Sequence, residues 1–87
     1  MNRETIIAKL KEIVRPYAYE KAALDHLDED TDFLADLKIN SANLVDIVLD
    51  VEEAFGITID NESMARMLTV RETLQIIENK LNPNDRK

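Results

Sequence analysis

Cysteine is absent from this chain, which excludes both a disulfide framework and a cysteine-ligated zinc site. Any thiol the function uses must therefore arrive on a cofactor. One glycine and two prolines in 87 residues leave too little turn material for an all-β fold. The N-terminal stretch MNRETIIAKLKEIV interleaves charged and apolar side chains and holds no continuous apolar run, so neither a signal peptide nor a membrane span is predicted, and a cytoplasmic location is expected. Positive charge is also scarce. Eleven Lys and Arg face eighteen Asp and Glu, and the net charge of −7 argues against nucleic acid and anionic membrane surfaces as partners and favours proteins with basic patches.

What remains is material for helices. With 45% hydrophobic and 33% charged residues, the chain fits one small domain over residues 1–87, with a polar tail from about residue 82. Ile6, Leu10, Ile13 and Tyr17, with Ile7 and Val14 beside them, predict an amphipathic helix from about Arg3. Pro16 ends that helix near Val14 or kinks it. Residues 17–27 are rich in helix formers and predict some further helix. The run Asp28 to Asp32 resembles the opening of an EF-hand loop, but Phe33 stands where that loop needs glycine and Ile39 where it needs a bidentate glutamate. The run reads as a solvated connection in which Phe33, Leu34 and Leu37 are apolar anchors. Further on, Gly56 stops a central helix, and Ile57 and Ile59 alternate through an extended connection. Asn61 to Met67 suits a short helix with Met64, Met67 and Leu68 on its inner side. Thr69 and Glu72 form a capping box for a last helix, whose stripe is Val70, Leu74, Ile77 and Leu81 and which Pro83 and the tail close.

The central stretch, Leu37 to Phe55, carries the functional signal. With successive residues about 100° apart on a helical wheel, Leu44, Val48, Val51 and Phe55 share one side while Asp46, Asp50 and Glu53 share the other. Asn40 is a favoured N-cap, which places Ser41 in the first helical turn, at the positive end of the helix dipole. A hydroxyl there is suited to carry a phosphate. Ile47 and Leu49 flank the acidic stripe and read as apolar contacts for a partner. His26, the sole histidine, has no cysteine to activate and no orienting carboxylate or oxyanion hole announced around Ser41, so no catalytic constellation is predicted.

Around Ser41 the chain resembles the acyl carrier proteins. TDFLADL (Thr31 to Leu37) is similar to the loop that leads into that family's central helix, EEAFGITI (Glu52 to Ile59) to its exit, and TVRETLQII (Thr69 to Ile77) to the last helix. Where the family signature is Asp-Ser-Leu, this chain has Asn40-Ser41-Ala42. The resemblance implies an all-α, right-handed up-down four-helix bundle with three longer helices and one short helix before the last. It implies a non-catalytic, monomeric carrier with phosphopantetheine attached covalently at Ser41 from coenzyme A, serving fatty-acid or specialised lipid biosynthesis. The implied partners are a phosphopantetheinyl transferase and the enzymes that load, condense or transfer acyl groups. Their basic patches would dock on Asp46, Asp50, Glu52 and Glu53, with Asn40 and Ala42 at the edge of the modified serine. Two other readings stay open: a carrier of aminoacyl or polyketide groups, and an unmodified acidic helical adaptor for a basic partner.

Overall fold

In the computed structural model, which describes residues 2–81, four α-helices follow one another: α1 (Arg3–Val14), α2 (Leu44–Phe55), α3 (Asn61–Ala65) and α4 (Val70–Leu81). Three of them have 12 residues and α3 has 5, the expected all-α pattern of three longer helices and one short one before the last. Among the described residues the only β pairing is a single antiparallel bridge between Asp32 and Thr69. No described helix is long and apolar enough to cross a membrane. Pro83 and the polar tail from about residue 82 lie outside the described residues.

Helix α1 starts where the Asn2 side chain accepts a hydrogen bond from the Thr5 N–H at 2.8 Å, one of the backbone donors that a helix N-terminus leaves without an internal partner. It stops at Val14, so Pro16 sits outside the helix and no kink forms. Ile6, Leu10 and Val14 are buried, and α1 packs on both α2 and α4. The helical potential of residues 17–27 appears as a 3-10 helix, Lys21–His26, whose one buried residue is Leu24. Ala23 within it and Leu27 just after it, both half-buried, pack against the core as well.

Residues 28–40 make the long connection, and their acidic side chains are used internally. Asp28 accepts from the Asp30 N–H at 2.9 Å, Asp32 from the Leu34 and Ala35 N–H groups at 2.8 and 2.9 Å, and Asp36 from the Asp32 N–H at 2.8 Å. Glu29 pairs with Arg3 at 3.2 Å, and Asp30 with Arg71 at 2.7 Å. Arg3 also reaches Glu78 at 2.7 Å, which holds the Glu78 carboxyl below its usual range. Backbone bonds from Phe33 N–H to the Leu68 carbonyl and from Val70 N–H to the Thr31 carbonyl, at 2.9 and 3.0 Å, fasten the connection to the start of α4. Phe33, Leu37 and Ile39 are buried in the common core, and each such side chain contributes about 1.5–3 kcal/mol. The expected anchor Leu34 is only half-buried.

After α2, Gly56 adopts a left-handed φ of 65°, the conformation that a residue without Cβ takes at little cost, and its N–H closes on the Glu52 carbonyl. The Asp60 side chain caps α3 by accepting from the Ser63 N–H at 2.9 Å, and the bonds to Ser63 hold its carboxyl below the usual range. Met67 is buried and Met64 half-buried. Leu68, expected on the inner side, is 37% exposed, because it is the Leu68 carbonyl that receives the connection while the side chain turns outward. Thr69 Oγ1 accepts from the Glu72 N–H at 3.2 Å, the predicted cap of α4.

Candidate functional site

Ser41 lies where the long connection becomes helix. Leu37 and Ile39 are both buried, and Lys38 between them takes a φ of 58°, a left-handed backbone that is uncommon for any residue except glycine. This turn delivers Asn40 to the start of the next segment. Asn40 acts as the predicted cap, its side-chain oxygen accepting from the Ala42 N–H at 2.9 Å. The predicted α-helical first turn is instead a 3-10 turn, Ser41–Asn43, that runs into α2 at Leu44. Asn43 N–H bonds to the Asn40 carbonyl at 2.8 Å, a three-residue step, and Asn43 has a φ of −86° and a ψ of −5°. Ser41 therefore stands one tight turn ahead of the α-helix, exposed to solvent.

The predicted docking residues separate into two groups. Asn40, Ala42, Asp46 and Glu53 are exposed, and Leu49 is 56% exposed. Val45, one turn before Leu49 and absent from the sequence reading, is 50% exposed. The spacing Ala42, Val45, Leu49 could have revealed it as an apolar ridge on the outer side of α2. Three other predicted positions are occupied by the fold. Ile47 is 1% exposed and belongs to the core, not to a partner surface. The Glu52 carboxylate accepts from the Ile59 N–H at 2.7 Å and pins the extended connection after α2, so it is not a free docking charge. Asp50 is half-buried and accepts from the Tyr17 hydroxyl at 2.9 Å. That bond, followed by desolvation and the Asp50 charge, raises the Tyr17 pKa above its ordinary value.

The site has the chemistry of an acceptor. His26 lines a cleft with Ala23, Asp28, Asp30, Thr31 and Asp36, and Ser41 is not among the residues around it. No cluster of metal-ligating side chains occurs among the described residues. Phosphopantetheine fits Ser41: the hydroxyl carrier is exposed, and its neighbours Asn40 and Ala42 are exposed too.

Comparison with known proteins agrees with this geometry. The family model for a phosphopantetheine attachment site matches residues 8–77. The acyl carrier protein of Thermotoga maritima is 34% identical over 92% of this chain and 96% of its own length, and that of Coprothermobacter proteolyticus is 32% identical over 93% and 96%. The crystal structure of the Thermotoga maritima acyl carrier protein superposes with a TM-score of 0.79 at 28% identity, covering 95% of this chain and 94% of that one. Shared sequence over nearly the whole length and a shared fold place this chain in the acyl carrier protein family, whose members carry phosphopantetheine and are carriers, not catalysts.

Proposed function

We propose that Ser41 is the attachment point of phosphopantetheine and that the chain works as a discrete, single-domain, monomeric carrier in the cytoplasm. Its role is to present thioester-bound acyl intermediates in fatty-acid or specialised lipid biosynthesis. The observation that carries this reading is the exposed serine on a capped 3-10 turn, held in place by the buried Leu37 and Ile39 on one side and by α2 on the other. When attached, the arm supplies the thiol that the chain lacks. The residues around it attach, orient and recognise.

Partners with basic patches meet the outer side of α2 through Asp46 and Glu53, which speed and orient encounter, and through Ala42, Val45 and Leu49, which supply apolar contact. Asp50 contributes charge from its place against Tyr17. Asn40 keeps the capping oxygen of the usual aspartate without its charge, and Ala42 offers less apolar surface than leucine, so recognition is tuned to a dedicated set of enzymes. The test is intact mass after incubation with coenzyme A and a phosphopantetheinyl transferase. One phosphopantetheine should add to the wild-type chain and none to Ser41→Ala. A wild type left unmodified by several transferases, beside a standard carrier protein that is modified, would return the chain to the adaptor reading.

A further inference from the structure

Tyr19 is 86% exposed, the most exposed large hydrophobic side chain among the described residues. It is nevertheless not on a loose segment. Tyr17 and Ala18 N–H groups both bond to the Val14 carbonyl, at 2.9 and 3.0 Å. The Lys21 ammonium donates to the Arg15 and Ala18 carbonyls at 2.8 and 2.7 Å, and Ala18 is buried. On one side of Tyr19 the Tyr17 hydroxyl is tied to Asp50 of α2; on the other, the Glu20 N–H donates to the Leu37 carbonyl at 3.0 Å. The backbone is fixed at both ends, yet the ring it presents contributes almost no burial to the fold.

The two ties also locate the ring. Leu37 and Ser41 are four residues apart, so the chain between them spans at most about 14 Å. The Glu20–Leu37 bond and the one residue back to Tyr19 add about 8 Å, which keeps the Tyr19 Cα within about 22 Å of Ser41. An enzyme that buries about 800 Å² of its partner covers a patch roughly 30 Å across, enough for both. The bond from Tyr17, two residues before Tyr19, to Asp50, one helical turn after Asp46, sets this segment beside α2. An aromatic ring on a fixed backbone is also the kind of side chain that dominates binding energy, since a tyrosine has only two side-chain torsions to immobilise when it is covered.

We infer that Tyr19 is a second anchor for the phosphopantetheinyl transferase that loads Ser41, its ring entering an apolar pocket of that enzyme beside the basic patch that meets Asp46 and Glu53. This rests on the attachment reading above. The measurement is steady-state loading by a broad-specificity transferase with coenzyme A, varying the concentration of the carrier chain. Tyr19→Ala should raise KM about tenfold with kcat within about twofold, and Tyr19→Phe should behave as wild type. Circular dichroism should show the Tyr19→Ala melting temperature within about 1 °C of wild type, as for an exposed ring. A Tyr19→Ala KM within twofold of wild type, or a melting temperature lower by several degrees, overturns the anchor and leaves Ser41 attachment standing. A wild-type chain that is not loaded at all, with a standard carrier loaded in parallel, removes both.

Discussion

The carboxylates from Asp28 to Asp36 and those along α2 form two acidic stretches, and the fold consumes the first entirely but takes only Asp50 and Glu52 from the second. In the long connection, Asp28, Asp32 and Asp36 accept backbone N–H bonds, and Glu29 and Asp30 pair with arginines. Along α2, Asp46 and Glu53 remain exposed. The difference follows from the backbone. A tight connection leaves N–H groups without partners, and a short acidic side chain nearby is their natural acceptor. In mid-helix those N–H groups are already bonded to carbonyls four residues back, so a carboxylate there meets solvent, another molecule or, as Asp50 and Glu52 do, a donor that a packed segment brings to it. Acidic residues are thus structural or recognitive according to whether an unsatisfied donor, in the adjacent backbone or on a packed neighbour, lies within reach.

Substitutions can break this contrast from either side. The largest effect should come from the exposed side. Asp46→Lys combined with Glu53→Lys should slow association with a basic transferase by roughly 10–50-fold at low ionic strength while leaving the melting temperature near that of wild type. Stopped-flow rates across a salt series check it; equal rates at low salt would show that the outer side of α2 is only a wet helix face.

From the other side, Asp32→Ala should leave association unchanged but remove the acceptor for two N–H groups. A loss of about 1–2 kcal/mol follows by analogy with a helix cap. In a domain of this size that lowers the melting temperature by roughly 5–15 °C. A melt that does not move would mean that water replaces the carboxylate at no cost.

The smallest change tests the joint between the two stretches. Lys38→Gly relieves a left-handed backbone that disfavours side chains but gives up some unfolded-state restriction, a net gain of about 0.5–1 kcal/mol. A melting temperature that falls would show that the Lys38 side chain contributes more than its backbone loses.

Much of this was legible because it is local. The stop at Gly56, the cap at Thr69, the cap at Asn40 and the end of α1 ahead of Pro16 each depend on a few adjacent residues, and each is in place. What escaped depends on neighbours that a wheel does not contain. Ile47 lies about 70° from the centre of the α2 core stripe and is covered, whereas Leu49, about 130° away, is not; the wheel gives the angle but not the width of the arc that other elements shield. Val45 lies about 90° to the opposite flank and stays half open, so the shielded arc is lopsided. Asp50 and Glu52 were read as charges because their partners, a phenol thirty-three residues upstream and an N–H seven residues downstream, are set by the packed fold. The 3-10 start at Ser41 escaped for another reason: over a single turn, three-residue and four-residue hydrogen-bond steps leave the same sequence pattern.

The bond between Tyr17 and Asp50 gives the molecule an optical signal of its own. The chain has no tryptophan and two tyrosines, so light absorbed by tyrosine and not by phenylalanine excites those two phenols alone. Tyr19 is 86% exposed in the native state, close to its surroundings in an unfolded chain, and its emission should change little on unfolding. Tyr17 is half-buried and donates to a carboxylate, a contact that exists only while the end of α1 and the middle of α2 are held together. Tyrosine fluorescence therefore reads one joint of the bundle, and circular dichroism reads the helices as a whole. Coincident transitions in the two signals would identify the joint as part of a single cooperative unit.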